Sequence, residues 1–359
     1  DSEQGDRLII DGSANLGGKV TVNLLDTWQA VPGEQSLAIL TAGGGLTLGE
    51  QPLTQSAVAQ YQLQQPISGE LRLTYDIDFA NAGITAQTND NQDDVARYIH
   101  GIYLAGALDD AVARELIAIE DTAGYAQVMN SLGAEIAVDT QTTSLLSGLR
   151  FNDALLSCAQ RSGDYHYYDL GQCGWLRASG QSFSQQETDD NLGFDENTWQ
   201  FAGGGQIDLR NDWHLGGALS YERSNLDADD SNARSDGDRF QIGVSTKRRF
   251  HATELSGSLA TSYGSFDINR SPAPGVSLDG NQDLWVYSGQ LRAAQLFEHQ
   301  RWSIKPRIDL GVDYLSTDGF NEGGNSDVRL LVDGDDNTYV HVQPAVDVAT
   351  EFDTEDGML

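Results

Sequence analysis

The stretch WHLGGALSYE, residues 213–222, alternates between two kinds of side chain. Trp213, Leu215 and Leu219 fall on one face of an extended chain, and His214 and Glu222 fall on the other. Successive side chains of a β-strand point to opposite sides, so this pattern predicts a strand with one apolar and one polar face. The pattern recurs along the rest of the chain and predicts eight strands, at roughly 174–184, 198–210, 213–223, 239–248, 254–268, 284–297, 301–315 and 338–352.

The connections between these strands separate two fold classes, because a soluble β-sandwich also alternates. The joins RND, RRFHAT and EHQ are short, and they alternate with long, acidic, Gly-rich joins. Short turns at one rim and long loops at the other are typical of outer-membrane barrels. Five tryptophans near strand starts are expected to form an aromatic girdle: Trp175, Trp199, Trp213, Trp285 and Trp302. The sequence therefore predicts a mainly β protein with a transmembrane antiparallel β-barrel; a soluble β-rich adhesin domain and an outer-membrane porin remain the alternatives.

Two further sections precede the predicted barrel. Residues 1–90 contain short apolar bursts between Gly, Asn and Pro, which predict a β-solenoid-like segment or a sandwich. Residues 91–157 have apolar side chains at three- and four-residue spacing and are predicted to be helical. The third section, the barrel, covers residues 158–359.

The last predicted helix, about 141–157, places leucines among Thr, Ser and Asn. It is too polar for a core helix and too apolar for a linker, so it is predicted to lie in the barrel lumen. Leu145, Leu149, Arg150 and Asp153 are its candidate site residues. We expect its two charged side chains to meet groups of opposite sign, because a buried charge without a partner is costly.

The polar face of the strands supplies the candidate lumen wall. The charged residues predicted to face the lumen are Arg177, Asp208, Arg210, Lys247, Arg292, Lys305, Arg307 and Asp309. They are expected either to pair with the helix or simply to form a polar wall.

Composition excludes several function classes. The 54 acidic and 21 basic residues give a net charge of -33, which repels phosphate backbones, so no nucleic-acid partner is expected. The chain contains no hydrolase, metalloprotease, P-loop or dinucleotide motif, so we expect no enzyme activity, no catalytic residue and no cofactor. The acidic runs lack the spacing of a calcium loop, and no metal site is predicted.

An ordered series of segments resembles the autotransporter family of Gram-negative bacteria. NLGGKVTVNLLDTWQAVPGEQSLAILTAGG (15–44) resembles the last rungs of a β-helical passenger, and DVARYIHGIYLAGALDD (94–110) through NDALLSC (152–158) resembles the segment leading to the linker helix. CGWLRASGQ (173–181), the run from Trp199 to Asp227, and DGDRFQIGVSTKRRF (236–250) resemble the opening strands of the β-domain.

The resemblance implies a monomeric twelve-stranded barrel with the linker helix in its lumen and the passenger outside the cell. The eight strands counted here leave the C-terminal strands missing. The family context implies an outer-membrane location, lipid as partner, and insertion by periplasmic chaperones and the barrel assembly machinery. The long join after the first strand implies that this strand runs from the periplasm outwards.

The chain has two cysteines, Cys158 and Cys173, where the helical pattern gives way to the alternating one. The oxidising periplasm permits a disulfide, which would tie the helix exit to the first strand. The alternative is two free, buried thiols. His166 is the nearest imidazole and no CxxC occurs, so a metal site is not expected here.

Overall fold

The computed structural model describes residues 7–22, 32–157, 171–188, 191–229, 231–272, 275–299, 302–326 and 328–350, with the backbone of 353–354 and 357–358. Its first strands are β1 (Leu8–Ile10), β2 (Ala14–Leu16), β3 (Gln35–Ala42) and β4 (Leu46–Leu48). β1 pairs in parallel with β3, and β2 pairs in parallel with β4. A further parallel bridge joins Val20 to Leu53. These parallel pairs stack two rungs in the manner of a β-solenoid.

The rungs touch closely at one corner. A Cβ atom at Gly43 would lie 2.7 Å from the carbonyl oxygen of Asp11, and one at Gly44 would lie 2.7 Å from the amide nitrogen of Ser13. Only glycine allows the two corners to stack at this distance.

A hairpin and four helices complete the N-terminal unit, by which we mean the described residues up to 132. The hairpin strands are β5 (Ala59–Ile67) and β6 (Glu70–Ile77), and the sheet order is β1-β3-β6-β5. The helices are α1 (Ala82–Thr85), α2 (Asp90–Leu104), α3 (Asp110–Ala118) and α4 (Thr122–Leu132). Each follows an Asn or Asp whose side chain accepts backbone N–H groups of the first turn, which explains where it begins.

These strands and helices share one apolar core. It includes Leu73, Tyr75, Phe79, Ile99, Leu116, Tyr125 and Met129. The Tyr125 hydroxyl donates a 2.7 Å hydrogen bond to the Phe79 carbonyl, and burial raises its pKa above the ordinary value of 10.0. The boundary predicted at residue 90 therefore passes through a continuous core, because the helices supply the apolar surface that covers the hairpin.

Helix α5 (Glu135–Leu155) has 21 residues and begins six residues before the predicted position 141. It packs against the large sheet that follows it. The early start is explained by its first turn, since Ile136 and Ala137 are buried against apolar side chains of the sheet.

The large sheet contains eight long antiparallel strands, in agreement with the prediction, and curls into a half-barrel. They are β7 (Cys173–Gln185), β8 (Phe194–Asp208), β9 (Trp213–Ala228), β10 (Ala233–Phe250), β11 (Thr253–Arg270), β12 (Leu278–Gln295), β14 (Trp302–Thr317) and β18 (Asp335–Thr350). Each pairs with the next along the chain. The short strands are β13 (Phe297–His299), β15 (Phe320–Asn321), β16 (Gly323–Gly324), β17 (Leu331–Val332), β19 (Asp353–Thr354) and β20 (Gly357–Met358).

The long strands extend further than the apolar alternation suggests. The join predicted at 224–238 is largely strand, because β9 and β10 stay paired until residues 229–232. Opposite charges face each other across this extension, as in the pairs Arg234–Asp227 and Arg223–Asp238. Backbone pairing does not require apolar side chains, so the alternation ends before the ladder does.

Candidate functional site

The large sheet has an unusual distribution of polarity. We call the side against α5 the inner face and the opposite side the outer face. On the outer face, Leu219 and Leu259 are 65% and 66% exposed, whereas on the inner face Arg239 and Asp309 are 0% exposed. A soluble protein buries its apolar side chains and exposes its charges. The reverse arrangement is that of a sheet whose outer face contacts lipid.

Aromatic rings lie on the outer face at two levels. Trp213, Phe250, Phe297 and Trp302 lie near the rim where α5 ends, which we call the lower rim. Higher up, Tyr221 contacts Phe240 with ring centroids 5.1 Å apart. Trp285 lies between Tyr263 and Tyr287 at the same level. Trp199 and Trp285 therefore lie within their strands rather than at the starts, because these strands continue above the upper ring level. Trp175 does not belong to the predicted girdle, because it packs on the inner face against the apolar cluster that contains Phe151 and Leu155 of α5.

The α5 face that meets the sheet consists of small and polar residues. Buried positions on this helix include Thr140, Thr143, Ser144, Ser147, Gly148 and Asn152. Small side chains permit close packing, and their hydroxyl groups supply hydrogen-bond partners to charged groups of the sheet.

The centre of the inner face is a buried cluster around Arg239 of β10. Its guanidinium bonds to Glu222 Oε1 at 2.6 Å and Glu196 Oε1 at 2.9 Å. It also donates to the α5 hydroxyls of Thr143 at 2.6 Å and Ser144 at 3.0 Å. One arginine thus joins three neighbouring strands to the helix, and its single positive charge is shared by two carboxylates.

The C-terminal end of α5 meets a second cation. Lys247 Nζ donates to the Leu156 carbonyl at 2.9 Å, and the Ser245 hydroxyl donates to the Leu155 carbonyl at 3.1 Å. The last carbonyls of a helix have no partner within it, and the helix dipole favours a positive charge there. Gly243 leaves room for this end, since a Cβ atom there would lie 2.4 Å from the Leu155 side chain.

Charged side chains also join α5 to the far side of the half-barrel. Arg292 bonds to both carboxylate oxygens of Asp309, at 2.7 and 2.8 Å, and to Asp153 of α5 at 2.6 Å. This is the meeting of opposite charges expected for Asp153. No ion pair of Arg150 occurs within the described residues.

The remaining candidate wall residues occupy varied positions. Lys305 pairs with Glu254 at 2.6 Å, and Asp208 contacts His214 at 2.7 Å. Arg307 is half-buried, and its buried Nε has no hydrogen-bond partner. Arg177 is exposed on the inner side of β7, where it lies over the Trp175 ring.

Arg210 does not lie on the polar face that the sequence suggested. The ladder ends at Asp208 and His214, and Arg210 is exposed in the turn that follows. Asn211 and Asp212 adopt left-handed backbone conformations, with φ of 63° and 58°, which produce this tight turn.

The candidate helix residues divide between two sides of α5. Leu145 packs against the inner-face cluster of Phe266, Leu284, Val286 and Leu315. Leu149 and Arg150 are only half-buried. Cys173 is the first residue of β7, and Cys158 lies outside the described residues, so their pairing stays a prediction.

Sequence reasoning missed the central cluster. Glu196 lies in a stretch that resembles an acidic loop, and the alternation places Glu222 and Arg239 on polar strand faces without indicating that they meet. The available signal was parity: Glu222 and Arg239 fall on the same side as the polar residues of their strands. Their partnership with α5 depends on tertiary packing, which no local pattern encodes.

Within the described ranges, no set of three or more His, Cys, Asp or Glu side chains is arranged to hold a metal ion. No helix in the described part of the chain combines the length and apolarity that would be needed to cross a bilayer.

The curled sheet, its lipid-type outer face and its polar inner face are those of an outer-membrane β-barrel. The family model described as the autotransporter β-domain matches residues 174–359, and the chain belongs to this family. No curated protein is found to match.

Two solved structures are similar to the chain. The translocator domain of autotransporter NalP from Neisseria meningitidis is 13% identical, with a TM-score of 0.51, over 62% of this chain and 75% of that one. The β-domain of the Bordetella autotransporter BrkA is 15% identical, with a TM-score of 0.41, over 52% of this chain and 73% of that one. At these identities the first match supports the fold alone.

Proposed function

We propose that this translocator anchors and exports its own N-terminal passenger, and that α5 then remains in the lumen as a plug. The observation that carries the proposal is the inner face, where the buried cations Arg239, Lys247 and Arg292 all bond to α5 or to the residue that follows it. Arg239 alone contacts two side chains of the helix. An open porin would leave these groups facing water, and a soluble adhesin would not expose leucines on its outer face.

The orientation proposed for the chain follows from the path of α5. Its first turn lies beside Leu192, in the join between β7 and β8, and its last residues lie beside Lys247, near the opposite rim. The rim at the helix start, the upper rim, carries the longest join, residues 318–334. Long loops of outer-membrane barrels face outwards, so we place the upper rim and the N-terminal unit at the cell surface.

The proposed function requires no covalent chemistry. We propose that the chain is not an enzyme, needs no cofactor and acts as a monomeric barrel in a Gram-negative outer membrane. Its proposed partners are lipid, periplasmic chaperones and the barrel assembly machinery. Of the candidate wall residues, Lys247 and Arg292 would hold the helix, through the Leu156 carbonyl and Asp153.

Conductance in planar bilayers tests the plug. A full-length barrel that lacks residues 141–157 should form open pores, because the inner face loses the helix that fills it. A matched variant without residues 90–104, which form α2 outside the barrel, should stay closed. Equal conductance of the 141–157 deletion and the unaltered protein would contradict the lumenal placement.

The proposed Cys158–Cys173 disulfide has a separate test. Mass spectrometry after alkylation without reduction should find neither thiol labelled in exported protein. A bond there would join the exit of α5 to the start of β7. Full labelling of both cysteines would rule it out.

A further inference from the structure

A second buried arginine lies at the upper rim, away from the plug contacts. Arg270 is the last residue of β11 and is 1% exposed. Its Nε and Nη2 donate to the two carboxylate oxygens of Glu322, at 2.6 and 2.5 Å. Its Nη1 donates to the Ser131 carbonyl at 2.7 Å. Ser131 lies in the last turn of α4, so the third bond comes from the N-terminal unit.

Glu322 organises the longest join of the sheet. We call its described residues, 318–326 and 328–334, the upper loop. Glu322 Oε2 accepts from the Leu330 amide at 2.7 Å, and the Glu322 amide donates to the Leu330 carbonyl at 3.0 Å. Phe320 packs against the apolar cluster that contains Ile136 of α5, and Val328 packs against the core of the N-terminal unit. The loop is thus held from below by the sheet and from above by the N-terminal unit.

We propose that Arg270 and Glu322 form a clasp that closes the upper loop onto the corner between α4 and α5. The loop becomes ordered only after the chain has emerged and α4 has folded. The inference rests on the proposed direction of export. It adds a conformational device that holds the start of α5, while Lys247 holds its end.

The bonding of Arg270 explains why closure depends on α4. Glu322 satisfies two sides of the guanidinium and leaves Nη1 without a partner. A buried N–H group without an acceptor is unfavourable, and the Ser131 carbonyl removes that cost. In return, the arginine satisfies a carbonyl that the C-terminal turn of α4 leaves unpaired. The Asn232 amide adds a 3.0 Å bond to the Ser131 hydroxyl at the same corner.

Hydrogen exchange of the whole protein in lipid nanodiscs tests the clasp. Arg270→Gln and Glu322→Gln each leave a buried charge without its counter-ion, so exchange should rise roughly 100-fold in the upper loop and in residues 129–133 together. The control is Arg234→Gln, whose side chain is 62% exposed and 3.6 Å from Asp236 on the same rim. It should change exchange little, and unchanged protection of β9 and β10 will show that the sheet is intact.

The dependence on α4 is tested from the other side. Leu116→Ala removes a fully buried side chain from the core of the N-terminal unit, far from Arg270 in sequence. Exchange in the upper loop should rise with exchange in α4. Two results would overturn the clasp. In Leu116→Ala, exchange would rise in α4 and stay unchanged in the upper loop. In Arg270→Gln, exchange would rise in the upper loop and stay unchanged in residues 129–133. Export is tested separately by antibody detection of an N-terminal tag on intact cells. A detected tag with no clasp would contradict the clasp alone, and an undetected tag would contradict the proposed export.

Discussion

The lower and upper parts of the same strands bury opposite kinds of side chain. In the lower part of β9, Leu219 on the outer face is 65% exposed. A few residues higher, Leu226 on the inner face is 2% exposed and Asp227 on the outer face is exposed. β11 makes the same change between Leu259, which points outwards, and Ile268, which is 1% exposed on the inner face. The change occurs above the level of the upper aromatic rings.

This difference indicates that the lower part of each strand faces lipid and that the upper part faces water. Below the rings, apolar side chains face outwards because the surroundings are apolar, and charges face the helix. Above the rings, aspartates face outwards and apolar residues surround the start of α5, as in a soluble sheet. At the lower rim, β9 begins directly at Trp213, so the strands extend beyond the apolar belt only on the upper side.

The largest expected effect comes from removing the central charge of the lower inner face. Arg239→Met leaves Glu196 and Glu222 buried without a cation, which should lower the free energy of unfolding by about 3–5 kcal/mol. Urea unfolding in lipid vesicles measures the change. Arg223→Met is the control, because its side chain is 54% exposed and pairs with Asp238 only at 3.4 Å. It should cost about 1 kcal/mol or less, and equal losses for the two variants would contradict a buried cluster.

On the inner face of β9, the burial of apolar side chains should stabilise the protein more at Leu226 in the upper part than at Ser220 lower down. Leu226→Ala removes a side chain packed beside Ile136 and Phe194, so we expect a loss of about 3 kcal/mol. Ser220→Ala, on the same face of the same strand but lower, removes a hydroxyl that has no hydrogen-bond partner. It should be close to neutral in the same unfolding measurement. A neutral Leu226→Ala would show that the upper sheet is not packed on α5.

On the outer face of β9, a charged side chain should destabilise the protein in the lower part and be tolerated in the upper part. Leu219→Lys places a charge toward lipid and should cost about 2–4 kcal/mol if it lies near the bilayer centre. Asn225→Lys lies on the same face of β9, opposite Asp236 and above the rings, and should be neutral or slightly favourable. Folding yield into vesicles, read from gel mobility without heating, compares the two. Similar yields would place the bilayer boundary elsewhere on the strand.

The N-terminal unit has an apolar core with polar groups that are buried and hydrogen-bonded, so the loss of such a bond should destabilise it. Tyr125→Phe removes the bond to the Phe79 carbonyl and leaves that acceptor unsatisfied, at a cost of about 1–2 kcal/mol. Burial raises the Tyr125 pKa, so the folded state holds the proton more firmly than the unfolded state. Its contribution is complete below pH 10 and is lost as the pH rises above that value. Hydrogen exchange in α4 should therefore become less pH-sensitive in the phenylalanine variant, after correction for intrinsic rates.

The sequence predicts the features that depend on the two-residue alternation of strands. It does not predict the contacts between side chains that are distant in sequence. The eight strands and their faces follow from alternation, because a residue's parity fixes its side. The upper extensions of β9 and β10 were missed because the apolar side changes from outer to inner while Asp and Arg enter the strand. The Arg239 cluster was missed because the sequence of residues 141–157 does not indicate which strand packs against Ser144. Arg210 was misplaced for a local reason, since two left-handed residues after it end the ladder early.

The smallest expected effect tests how closely α5 approaches the lower inner face. A Cβ atom at Gly148 would lie 3.6 Å from Val286 Cγ1 and 3.7 Å from Ser288 Oγ, which are ordinary contacts. Gly148→Ala should therefore keep the full helix-propensity gain of about 0.5–1 kcal/mol.

Gly101→Ala in α2 is the matched reference for that gain, because a Cβ atom there meets nothing within 4 Å. The two substitutions should slow hydrogen exchange in their own helices by similar factors. A loss of protection at Gly148 with a gain at Gly101 would mean that α5 lies closer to β12 than the structure places it. A gain at both positions would show that the plug has room for one methyl group, and that the polar contacts of Arg239, rather than tight packing, determine where the helix lies.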